Sequence, residues 1–180
     1  MPRIPVHTTQ SAPENSRDQL KALEATFGTV LNIHGEMAHS PAVLQSYIAI
    51  QQVIDDYGSF DGRTREAIAL AVANVDECSY CQAAHTAGGK AAGLTGDEMV
   101  AVRRGGAGFD PKLDALLDLA REYTANVGSV QDTTWQAAVD AGWTDEQLTE
   151  LSVHVTLNLF TNYFNHFVGT ELDLPEAPAL

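Results

Sequence analysis

Cysteine is scarce: only Cys78 and Cys81 occur in 180 residues. No disulfide framework can therefore hold the chain together, and a bridge between two residues three apart closes too small a loop to stabilise much. Positive charge is scarce as well. Ten Lys and Arg stand against 24 Asp and Glu, a net charge of -14. That balance argues against nucleic acid and anionic membrane as main partners. No stretch approaches the roughly 20 apolar residues of a membrane span. Met1 to Ser16 is polar, carries three prolines and lacks the apolar core of a secretory signal. It reads as a loose arm over residues 1–16, and the protein as cytoplasmic. In a reducing cytosol a close cysteine pair is catalytic or metal-binding more often than structural.

What is present is a globular composition, 44% apolar and 19% charged, with a helical pattern throughout. Residues 17–172 read as one all-α domain, and 173–180 as an extended tail with Pro175 and Pro178. A first helix is expected over Arg17–Thr26. Ser40-Pro41 opens the next, with apolar residues at helical spacing as far as Gly58. Arg63–Val75 follows, then a helix from about Ser79 to Gly93. Thr95 with Glu98, and Thr144 with Gln147, have the spacing of capping boxes. Asp110-Pro111 opens a helix to about Val127, Thr133–Ala141 is short, and the last helix reaches about Gly169. No segment alternates like a strand, so a helical bundle is expected.

A faint repeat runs through this pattern. At an offset of 49 residues, Ala92-Gly93-Leu94-Thr95 falls on Ala141-Gly142-Trp143-Thr144. At the same offset Cys78, Cys81, His85 and Glu66 fall on Val127, Val130, Thr134 and Ala115. If both segments are one helix–helix–turn unit, the scaffold does not require the four polar residues.

Those four carry the chemistry. Cys78, Cys81 and His85 lie at i, i+3 and i+7, one face of a helix. Cys78 falls at or just before the first turn, where unpaired backbone N–H groups stabilise a thiolate. His85 is placed to take a thiol proton directly or through a water. Glu66 lies on the preceding helix and reaches His85 if the two helices pack antiparallel. Two thiolates, an imidazole and a carboxylate also suit zinc. Structural zinc sites usually draw on two separated ligand pairs, however, and the chain has no second pair. An inert buried pair is a further alternative.

At these residues the chain resembles the carboxymuconolactone decarboxylase family, in its alkyl hydroperoxidase D-like branch. That branch has a glutamate, a CxxC twelve residues on, and a histidine four after the second cysteine. Glu66, Cys78, Cys81 and His85 match it. Phe27-Gly28 through Ala38-His39-Ser40-Pro41 resembles the family's lead-in, and Asn162-Tyr163-Phe164-Asn165-His166 its closing helix, so the likeness covers about residues 20 to 175.

The resemblance implies an all-helical fold assembled as a homo-oligomer, a trimer or hexamer, and a thiol peroxidase needing no haem, flavin or metal. Cys81 would attack the hydroperoxide, with His85 and Glu66 as its proton relay, and become a sulfenic acid. Cys78 would condense with it to a disulfide, which an external dithiol, a lipoyl-bearing protein in well-known members, would reduce. Tyr80 departs from the pattern. It stands where some members carry a relay histidine, and a phenol of pKa near 10 is a poor shuttle at neutral pH. A lyase using Glu66 and His85 on a carbon acid, and a redox-sensing dithiol without turnover, remain the alternatives.

The other polar residues give weaker signals. Tyr80 and His39 are candidates to line a pocket, though His39, just before Ser40, also suits a turn. His154 and His166, with Asn158 and Asn162, form a polar stripe on the last helix that fits a core, an interface or a pocket border.

Overall fold

A computed structural model describes residues 2–180. Its helices are α1 Glu14–Phe27, α2 Asn32–Met37, α3 Pro41–Tyr57, α4 Gly62–Val75, α5 Ser79–Ala91, α6 Gly96–Arg103, α7 Pro111–Ala125, α8 Asp132–Asp140 and α9 Asp145–Val168. There is no strand among the described residues, and no helix there is long and apolar enough to cross a membrane.

Helix starts follow local chemistry. Both capping boxes form, Thr95 with Glu98 and Thr144 with Gln147. Asp110 accepts from the Leu113 N–H ahead of Pro111. Asp61, not singled out from the sequence, caps α4 through the Thr64 N–H. Ser40 departs from expectation: α3 begins at Pro41, but the Ser40 hydroxyl makes no capping bond.

The centre of the fold is α4. Every residue from Ala67 to Ala73 is buried. Alternating alanines let neighbouring helices approach it from all sides, as in a helix enclosed by a core. One apolar cluster joins α4 to α6, α7, α8 and the first half of α9. A second joins α1, α2, α3, the end of α4, the start of α5 and the second half of α9, and both cysteines belong to it.

The 49-residue repeat reappears in the backbone. Leu94 N–H bonds Gly89 C=O and Gly93 N–H bonds Lys90 C=O; 49 residues on, Trp143 bonds Ala138 and Gly142 bonds Val139. Gly93 and Gly142 share φ of 92°, a left-handed conformation that glycine adopts without penalty. Adding 49 to the first residues of α4 and α6, Gly62 and Gly96, gives Pro111 and Asp145, the first residues of α7 and α9.

Helix α1 starts at Glu14, three residues before the expected Arg17. The arm expected over residues 1–16 is tethered along its described part, and Met1 lies outside the described residues. Thr9 and Ala12 are buried, His7 N–H bonds Gly35 C=O, and the Arg3 guanidinium bonds the Phe167 carbonyl. The tail is tethered too. Asp173 accepts from the Asn32 N–H at 2.7 Å, and Arg103 donates to the Pro178 carbonyl.

Candidate functional site: a buried dithiol beside a cavity

The turn between α4 and α5 places the cysteines. Cys78 N–H reaches back to Ala73 C=O and Glu77 N–H to Asn74 C=O. Glu77 takes φ of 53° between them. A left-handed residue without glycine's freedom costs about 1–2 kcal/mol, and here it turns the chain so that Cys78 becomes the N-cap of α5. Its Sγ accepts from the Cys81 N–H at 3.2 Å. Cys78 and Cys81 are joined as a disulfide, with Cα atoms 5.3 Å apart. Both are almost fully buried.

The two sulfurs have different surroundings. Cys81 lines a cavity of about 610 Å³, together with Glu66, Tyr80 and His85; Cys78 does not. The cavity wall is mostly apolar, with Phe27, Leu31, Ile33, Ile54, Leu157 and Leu174. Access to the dithiol from this side runs past these residues to Cys81.

The tight turn makes α4 and α5 antiparallel, so Glu66 and His85 meet. His85 Nδ1 lies 2.9 Å from Glu66 Oε2. A neutral imidazole whose Nδ1–H bonds the carboxylate keeps Nε2 as its basic atom. No hydrogen bond joins His85 to either sulfur, so a proton passing between it and Cys81 needs an intervening water or substrate atom in the cavity they share. Among the described residues, no cluster of three or more Cys, His, Asp or Glu side chains is arranged to hold a metal ion.

Tyr80 lines the cavity. Its hydroxyl donates to Asp173 Oδ1 at 2.8 Å. Burial, and then the Asp173 carboxylate, hold the phenol protonated far above its ordinary range. It is a fixed donor here rather than a proton shuttle. His39 is not among the residues lining the cavity. Its Nε2 is 2.8 Å from the Pro5 carbonyl oxygen and its ring lies 4.1 Å from that of His7. The N-terminal segment turns it away, so the pocket role considered for His39 is corrected to a contact with that segment.

Two cavity residues carried no such signal. His34 is buried, with its ring between those of Phe27 and Tyr47. Its Nδ1 has no hydrogen-bond partner. Burial lowers its pKa to about 4, against a smaller opposing pull from Asp173. Asn165, on α9, donates from Nδ2 to Cys81 Sγ at 3.2 Å. The polar stripe on α9 divides. His154, Asn158, Thr161 and Asn165 line the cavity, while Asn162 and His166 turn to Asp76, through its side chain and its carbonyl.

A broader, more open groove between α7 and α8 is lined by Ala115, Thr134 and Ala137. These stand 49 residues beyond Glu66, His85 and Gly88. The corresponding place in the second repeat thus holds none of the polar groups, which supports reading them as additions to the scaffold.

The fold is all-α and of the alkylhydroperoxidase D-like kind, with a buried cysteine pair beside a cavity. Residues 41–122 match the Carboxymuconolactone decarboxylase family. That segment contains Glu66, Cys78, Cys81 and His85, and the family matched is the one the sequence resembles.

Among solved structures, the alkylhydroperoxidase AhpD core protein of Ralstonia eutropha JMP134, an uncharacterized peroxidase-related protein, is similar at a TM-score of 0.85 and 22% identity, over 96% of this chain and 92% of that one. A peroxidase-related protein of Silicibacter sp. TM1040 follows at 0.77 and 19%, over 94% and 91%. The debrominase Bmp8 is similar at 0.75 and 14%, over 89% and 87%. At these identities the likeness is one of fold. A sequence relative, uncharacterized protein 4 in the cox locus of Paracoccus denitrificans, is 31% identical over 67 residues, which are 37% of this chain and 60% of that protein's length.

Proposed function

We propose that this protein is a thiol peroxidase that reduces organic hydroperoxides at Cys81. The observation that carries the reading is the asymmetry of the dithiol: Cys81 faces the cavity with His85 and Glu66, and Cys78 lies behind it. In the reduced protein His85, oriented by Glu66, takes the Cys81 proton through a water. The thiolate attacks the hydrogen-bearing peroxide oxygen and the O–O bond breaks. The sulfur becomes a sulfenic acid, and the leaving alkoxide takes a proton from the imidazolium to depart as alcohol. The Cys78 thiol then displaces water from the sulfenic acid and the disulfide forms. An external dithiol, of the lipoyl kind, returns the pair to thiols by exchange and becomes a disulfide itself.

The test is turnover of cumene hydroperoxide with dihydrolipoamide as reductant. Cys81→Ser is expected to abolish it. Cys78→Ser is expected to stop at one sulfenic acid, on Cys81. Activity that survives Cys81→Ser would return the site to acid/base chemistry by Glu66 and His85.

A further inference from the structure

We infer that Asn165 is a catalytic residue, whose side-chain amide stabilises the Cys81 thiolate. The inference rests on Cys81 being the attacking thiol, but not on a peroxide being its target.

The dithiol needs such a group because its two sulfurs are served unequally. Cys78, at the N-cap, has the N–H of Cys81 and the positive end of α5. Left to the helix alone, Cys78 would hold the negative charge more readily, yet it is Cys81 that faces the cavity. Asn165 corrects this imbalance from a different helix. Its Nδ2 is 3.2 Å from Cys81 Sγ and 3.9 Å from Cys78 Sγ, so its shorter bond goes to the sulfur that substrate can reach. The amide is buried, where a hydrogen bond to a charge is least weakened by water.

The orientation has chemical sense. Turned over, the amide would set its oxygen against sulfur lone pairs. Oδ1 is buried with no partner. A purely structural side chain would shed that cost by being leucine. The asparagine carries a cost in the fold, and its one hydrogen-bonded group is aimed at the reacting atom. It also lines the cavity, one turn along α9 from Thr161.

The experiment is the pH profile of iodoacetamide alkylation in Cys78→Ser protein, where Cys81 is the single thiol. With Asn165 present, the Cys81 pKa should lie below the ordinary thiol value of about 8.5; a value at or above it overturns the inference without further mutation. Adding Asn165→Leu should raise that pKa by about one unit, roughly a tenfold loss of thiolate at neutral pH. Adding Asn165→Asp, which replaces the donor by a carboxylate, should raise it further. Values within about 0.3 unit of the Asn165 protein in both variants would likewise overturn it. If peroxide fails as a substrate while these shifts appear, the peroxidase reading falls and the thiolate role stands.

Discussion

Gly88 lies one turn beyond His85 on α5, hard against the carboxylate of Glu66. A methyl group at this position would lie 2.6 Å from Glu66 Cδ and from both of its oxygens. The close approach is what lets α5 pass the glutamate while His85 stays 2.9 Å from Oε2.

Gly88→Ala should therefore separate folding from activity. The clashing atoms are the end of a flexible side chain, so Glu66 can swing aside. Alanine also favours a helix over glycine by up to about 1 kcal/mol. The melting temperature should hold or rise while Glu66 leaves His85. Turnover should fall toward that of Glu66→Gln, about 10²-fold, the lower range for a positioned acid/base group. Thermal melts and steady-state rates on the two variants check this; unchanged turnover in Gly88→Ala would remove Glu66 from the relay.

Tyr80 and Asp173 form a second long-range pair. Asp173 accepts from the Tyr80 hydroxyl and from the Asn32 N–H, and Leu174 beside it lines the cavity. The tail is thereby a wall of the pocket. Asp173→Ala should cost about 1 kcal/mol, since the carboxylate is exposed and its bonds are partly replaced by water. It should also loosen Leu174 and quicken the reaction of the reduced thiols with a bulky disulfide reagent. Equal rates in parent and variant would show that the tail does not limit access.

His34 makes stability depend on pH. Burial lowers its pKa from 6.5 to about 4. Below the unfolded value the unfolded chain binds a proton that the folded protein refuses. Stability is thus complete above pH 6.5 and is lost as pH falls through about 4. The loss is bounded by about 3.4 kcal/mol, 2.5 pKa units at 1.36 kcal/mol each. Buried Glu36 acts oppositely, because its raised pKa favours the folded state when the carboxyl is protonated. Urea midpoints at pH 7.5 and 4.5 should differ less in His34→Phe than in the parent. An identical pH difference in the two would refute the assignment.

The sequence revealed what is local. Helix starts at Pro41, Pro111, Gly96 and Asp145 follow from prolines and capping pairs a few residues apart. The spacing of Cys78, Cys81 and His85 places them on one helical face before any packing is known. Glu66 was within reach because a short turn fixes the antiparallel packing of α4 on α5. Asn165 is 84 residues from Cys81, and Asp173 is 93 from Tyr80. Nothing in spacing along the chain brings such pairs together. The α9 stripe hinted at a polar face, but a helix with buried residues on several sides does not reveal which of them face the cavity. His39 misled for the same reason: its partner, the Pro5 carbonyl, belongs to a segment whose composition suggested a free arm.

The most direct test of the account is one exposure of reduced protein to one equivalent of cumene hydroperoxide, read by thiol count and mass spectrometry. The account predicts rapid loss of both thiols and a Cys78–Cys81 disulfide, with Cys78→Ser trapped as a sulfenic acid on Cys81. Two thiols persisting for minutes, or a sulfenic acid that forms on Cys78 in Cys81→Ser as fast as on Cys81 in Cys78→Ser, would contradict it.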